Sequence, residues 1–135
     1  MAQSDKPVIW TVSISRLFTL FRDISPEFSA RASISAINLG FDAAVEAIRE
    51  RLKTERCDAV VSAGSNGAYL KQHLPVPVIV AAPGGFDIMQ ALARARQLSQ
   101  RIGLIYYRNT FRALDSLAQS FGMQIEQRSY VTAED

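Results

Sequence analysis

Short β-branched or apolar runs alternate along this chain with longer segments whose apolar residues recur at helical spacing. That alternation restricts the fold more than any other feature, because strands separated by helical crossovers form βαβ units and a parallel sheet. The first run, Pro7 to Val12, opens on a proline, which a strand tolerates at its first position. Val8, Ile9, Trp10 and Val12 continue it as expected of a strand covered on both faces. Ser13 or Ser15 is then placed to cap a helix that turns Leu17, Leu20, Phe21 and Ile24 to one face and ends or bends at Pro26. A second strand, about Ala32 to Leu39, alternates polar and apolar residues, the mark of a half-exposed edge. The helix from Asp42 to about Arg56 carries Val45, Ile48 and Leu52 inward, with acids early and bases late to suit its dipole.

The third strand, Asp58 to Ala63, runs into Gly64-Ser65-Asn66-Gly67 and a short helix, Ala68 to His73, stopped by Pro75. Val76 to Ala82 reads as a buried fourth strand. It leads through Pro83-Gly84-Gly85 into a helix from Phe86 to about Gln100, with Ile88, Ala91, Leu92, Ala95 and Leu98 on one stripe. A fifth strand, Ile102 to Tyr107, precedes a helix from Thr110 to Phe121 that buries Phe111, Leu114, Leu117, Ala118 and Phe121 and ends at Gly122. Met123 to Val131 reads as a last strand, and Thr132 to Asp135 as the N-cap of a helix.

A chain of 135 residues is one domain's worth, and 48% hydrophobic against 21% charged places it among globular proteins with a real core. Fifteen basic and 13 acidic side chains leave +2, with the arginines scattered, so neither a nucleic-acid stripe nor a membrane-seeking patch is expected. No segment approaches the roughly 20 apolar residues of a membrane span, and the polar Met1 to Lys6 lacks the apolar region of a secretory signal. A cytoplasmic protein is expected. A lone Cys57 and a lone His73 build no disulfide and no clustered metal site.

In an open parallel sheet, ligands bind outside the carboxyl ends of the strands, where strand order reverses. Three loops fall there. After the third strand, Gly64, Ser65, Asn66 and Gly67 bring glycines, a hydroxyl and an amide to a helix start, which suits a carboxylate or phosphate. The same cluster also reads as a tight turn with Ser65 or Asn66 capping the helix. After the fourth strand, Gly84 and Gly85 let a ligand approach the backbone, or merely turn the chain, and Asp87 reads as a dipole partner. After the first strand, Thr11 and Ser13 offer hydroxyls, and Arg16 offers a guanidinium suited to clamp a carboxylate, or a solvated surface charge. Tyr107 and Asn109, after the fifth strand, complete the candidates, with Asn109 or Thr110 equally a plain N-cap.

Catalytic patterns are missing. Cys57 starts the third strand, at the sheet end opposite the crevice, and His73 sits at a helix C-terminus. No Ser-His-Asp set, paired carboxylates, His-x-x-x-His, P-loop or Gly-x-Gly-x-x-Gly occurs. The positions that carry acids in a phosphoreceiver domain read Thr-Val-Ser and Ala-Gly-Ser.

The segments Lys6 to Ser13, Arg16-Leu17-Phe18, Leu20 to Ile24, Ala63 to Lys71 and Gln127 to Tyr130 carry a resemblance. Together they resemble the N-terminal sensor domain of the propionate catabolism regulators, a branch of the bacterial activators that work with sigma-54 RNA polymerase. The resemblance implies a fold of two flavodoxin-like or chelatase-like lobes, each a three-layer α/β/α unit, facing a cleft. Residues 1–98 would form the first lobe and 99–135 the beginning of the second. It implies a non-enzymatic sensor without cofactor, with a small polycarboxylate such as 2-methylcitrate as effector. An AAA+ ATPase domain and a DNA-binding domain would lie elsewhere in the parent protein, and a homo-oligomer is expected. Thr11, Ser13, Arg16, Gly64, Ser65, Asn66, Gly67, Gly84, Gly85 and Tyr107 are the expected ligand contacts, by loop placement. The rival readings are a small-acid lyase or isomerase of flavodoxin-like fold, with Asp87 or Tyr107 carrying the proton, and a pure oligomerisation module.

Overall fold

A computed structural model describes residues 6–131; the expected cap at Thr132 to Asp135 lies outside them. The chain divides into two compact units, Met1–Ala82 and Pro83–Asp135. The division falls ahead of residue 98, where the resemblance would end the first lobe.

The first unit runs β1 (Val8–Ser13), α1 (Ser15–Ile24), β2 (Ser33–Asn38), α2 (Phe41–Arg51), β3 (Ala59–Ala63), α3 (Gly64–His73) and β4 (Val78–Ala81). All four strands are parallel, in the order β2-β1-β3-β4. β1 is therefore central and β2 marginal, as their hydropathy patterns required. The chain reverses its direction of travel across the sheet between β1 and β3, the switch point of a flavodoxin-like order. Right-handed crossovers put α1 on one face and α2 and α3 on the other.

The period-2 alternation of β1 divides its side chains between those faces. Trp10 and Val12 join Ile37, Val60 and Val78 from the other strands and Ala44, Val45, Ile48 and Leu70 from α2 and α3 in one buried cluster. The guanidinium of Arg51 closes its edge, 4.2 Å from the Trp10 ring centroid. Thr11 and Ser13 point to the α1 face and are buried too.

The α1 face is the thinner one. No residue of α1 is buried: Leu17 and Phe21 are half-buried, while Leu20 and Ile24 remain exposed. β4 also departs from the expected buried strand. It lies at the sheet margin, and Ile79, which points away from the α2/α3 cluster containing Val78, is 58% exposed.

The second unit holds α4 (Gly85–Arg96), β5 (Arg101–Tyr107), α5 (Arg112–Ser120) and β6 (Gln124–Tyr130). β5 and β6 pair in parallel as a separate two-stranded sheet, with α4 packed on β5 and α5 on β6. That packing explains why α4 belongs with β5 and the second unit. α4 stops at Arg96, so Leu98, expected on its inward stripe, lies past the helix and is exposed. Gly122 does end α5, at φ +62, with the Met123 N–H donating back to the Ala118 carbonyl. The Gln127 amide braces the start of α5 by bonding both the N–H and the carbonyl of Phe111.

Candidate functional site

Three helices begin at the carboxyl ends of three adjacent strands, and none is capped by the side chain of its own N-cap residue. Their N-cap residues are Ile14, Gly40 and Ala63, which have no acceptor to offer. Ser13 or Ser15 does not cap α1, and neither Ser65 nor Asn66 caps α3. The reason is geometric. α3 starts at Gly64 itself, so the expected loop Gly64 to Gly67 forms the helix's first turn. Each helix opens with a residue of positive φ, Ser15 at 56°, Phe41 at 50° and Gly64 at 58°. For an aromatic residue such as Phe41 this is a strained conformation, costing on the order of 1 kcal/mol or more.

Uncapped first turns leave backbone N–H groups at the positive end of a helix dipole. In α2 that end is partly compensated by Asp42, whose carboxylate accepts from the Tyr69 hydroxyl. α1 and α3 have no acid in their first turns. Those two helices follow β1 and β3, the strands on either side of the switch point.

Three side-chain groups, two on β1 and one in the first turn of α3, are buried without a partner among the described residues. Thr11, Ser13 and Asn66 are 6%, 3% and 8% exposed, yet Thr11 Oγ1, Ser13 Oγ and Asn66 Nδ2 have no hydrogen-bond partner among the described residues. A buried polar group left unpaired costs about 1–3 kcal/mol. Ser62 shows the usual solution, its hydroxyl donating to the Val12 carbonyl at 2.6 Å.

Asn66 is held by one end only. Its Oδ1 accepts the Phe41 N–H at 2.8 Å, and since an N–H requires an acceptor, the free group is the NH₂. This bond joins the turn after β3 to the turn after β2, and β1 lies between those strands. The Asn66 side chain therefore ties the start of α3 to the start of α2. Gly40 lies beside this bond: a Cβ there would meet Ile14 Cγ2 at 3.5 Å and Asn66 Oδ1 at 3.7 Å, ordinary van der Waals contact.

The remaining candidates divide by unit. Arg16 and Gly64 are exposed at the starts of α1 and α3, and Ser65 is half-buried. Gly67 is buried against β4, where a Cβ would come within 2.9 Å of Val80 Cγ1, so its small size serves packing. Gly84, Gly85 and Tyr107 belong to the second unit. Gly84 is the N-cap of α4 and donates its N–H to Asp87 Oδ2 at 2.8 Å, which makes Asp87 a helix-start partner. The Tyr107 ring packs edge-on against Tyr130, with centroids 5.5 Å apart. Gly40 and Phe41 were not foreseen as parts of the site. Their only sequence signal is a glycine directly after a strand.

Other reactive groups are engaged elsewhere. Burial pushes the Cys57 thiol above its ordinary pKa, and its Sγ contacts the Ala59 carbonyl at the amino end of β3. His73 ends α3, its Nδ1 against the Tyr69 carbonyl, and its ring stacks on Tyr69. Among the described residues no group of His, Cys, Asp and Glu is placed to hold a metal, and no helix is long and apolar enough to cross a membrane.

The fold defines a parallel α/β domain of flavodoxin-like order, with two acid-free helix starts following the strands on either side of its switch point. The chain matches the family described as propionate catabolism activator over residues 28–135, and it belongs to that family, as a regulatory domain of transcriptional activators. Its structure is similar to the crystal structure of an NtrC family transcriptional regulator from Clostridium acetobutylicum, with a TM-score of 0.76 and 20% sequence identity. The similarity covers 97% of this chain and 68% of that one, and shows a shared fold.

Proposed function

We propose that this domain is a non-enzymatic, cytoplasmic sensor that binds a small polycarboxylate at the carboxyl end of its sheet, with 2-methylcitrate as the effector. Binding would control an AAA+ ATPase domain and, through it, a DNA-binding domain of the parent activator. The observation that carries this reading is the pairing of two acid-free, uncapped helix starts, α1 and α3, with the unpartnered donors of Thr11, Ser13 and Asn66. Helix N-termini and hydroxyls stabilise anions without proton transfer, and a sensor needs no general base. An effector shifts a conformational equilibrium only by its differential affinity for the two states, so a ligand-binding end built from three separate turns suits the task. Calorimetric titration of 2-methylcitrate into the protein tests it: saturable heat is expected, and no heat at millimolar ligand overturns it.

A further inference from the structure

We propose that the second unit holds a binding site of its own for a small aliphatic monocarboxylate, in the cavity between α4 and α5, with Arg96 receiving the carboxylate. The cavity measures about 330 Å³ and is lined by Met89, Leu92, Ala93 and Arg96 of α4, and by Leu117 of α5 and its C-cap Phe121. The four α4 positions stand at i, i+3, i+4 and i+7, so they share one face of that helix. Ala93 lies in the middle of that face, and its methyl leaves the space that a longer side chain would fill. Met123, just ahead of β6, closes another side. Leu92 is buried, whereas Met89 and Phe121 are each 46% exposed, so apolar walls stand open to water. An alkyl chain displaces that water favourably, and the unbranched thioether of methionine adapts to its shape.

One charge sets the class of ligand. Arg96 is the sole charged residue lining the cavity, and its guanidinium has no hydrogen bond or ion pair among the described residues. A guanidinium holds a carboxylate through two parallel N–H donors. Arg96 also ends α4, but Arg94 shares its last turn and answers the same helix dipole. A single cation beside apolar walls suits one negative charge at the end of an aliphatic chain. A tricarboxylate would press two further charges against Met89, Leu92 and Phe121, a desolvation cost that no lining group offsets. A methylene needs about the room of a water, roughly 30 Å³, so the cavity holds a chain of about eight carbons with its carboxylate. The site is separate from the one proposed for the first unit, and failure of either leaves the other standing.

The test titrates butyrate, hexanoate, octanoate and octanol into the 135-residue chain and follows the Met89 and Met123 methyl signals by NMR. Saturable shifts of both methyls are expected with octanoate, with affinity rising about fourfold per methylene along the acids. Octanol is expected to bind about tenfold more weakly than octanoate, and Arg96→Gln to abolish that difference. Ala93→Leu, which fills the cavity from the middle of its α4 face, is expected to remove the octanoate shifts while the circular dichroism spectrum stays that of the wild type. Absence of saturable shifts with octanoate, affinity independent of chain length, or full octanoate binding by Ala93→Leu overturns the site. Octanol binding as tightly as octanoate, or an unchanged octanoate affinity in Arg96→Gln, overturns the carboxylate. A concentration-dependent dimer in sedimentation that Ala93→Leu abolishes also overturns it, since a second copy would then occupy the cavity.

Discussion

Gly67 lies so close to Val80 that a Cβ at position 67 would stand 2.9 Å from Val80 Cγ1 and 3.2 Å from the Ser62 carbonyl carbon. In an exposed helix interior, glycine to alanine stabilises by about 1 kcal/mol. Here backbone on one side and a β-branched side chain on the other prevent the added methyl from being absorbed. Gly67→Ala is expected to destabilise the first unit by about 1–3 kcal/mol in a denaturant titration. A variant as stable as wild type would show that α3 moves off β4 without cost.

Asn66 also holds Phe41 in its left-handed conformation, so its removal is expected to cost stability as well as ligand. Asn66→Ala leaves the Phe41 N–H unpaired at an uncapped helix start, and a loss of about 1–2 kcal/mol is expected, the range for a lost cap. Asn66→Asp keeps an acceptor for that N–H and should retain most of the cap interaction. Thermal or urea unfolding of the two variants side by side checks the order.

Asp58 links stability to acid. Its carboxylate accepts the Val8 N–H at 2.7 Å and pairs with Arg56, and the two together hold its pKa below the ordinary value. Because the folded-state pKa is depressed, the contribution is present above the unfolded value near pH 4 and is lost as pH falls through the lower folded one. Asp58→Asn is therefore expected to lower stability at neutral pH and to flatten its decline below about pH 4. A variant with the wild-type pH profile would show that Asp58 contributes nothing to acid sensitivity.

Cys57 is expected to react slowly. Burial raises its thiol pKa, so at pH 8 the thiolate fraction lies below that of a free cysteine. A colorimetric thiol assay should show native protein reacting several-fold more slowly than unfolded protein. Equal rates would place Cys57 in solvent.

Most elements were legible because their signals are local. The continuous run Val8 to Val12 marked a central strand, the alternation at Ser33 to Asn38 marked an edge, and Gly122 marked a helix end; each occupies that role. The misreadings cluster where long-range packing overrides local preference. Gly64-Ser65-Asn66-Gly67 has the composition of a loop and forms the first turn of α3, because Gly67 fits against β4 and Asn66 bonds to Phe41 at the start of α2. Leu98 fits the stripe of α4, but the helix ends two residues earlier.

What the sequence by itself determined was the order of strands and helices and the parallel class of the sheet. Those come from hydrophobic period and from the rule that crossovers return each strand in the same direction. Only the tertiary structure decided which side-chain groups find a partner. A side chain's hydrogen-bonding role depends on its partner, and the partner that fixes Asn66 stands 25 residues away on a different turn. Composition at positions 64–67 shows a hydroxyl and an amide. The fold commits the amide oxygen to the Phe41 N–H and buries the NH₂ without a partner among the described residues, which composition alone does not show.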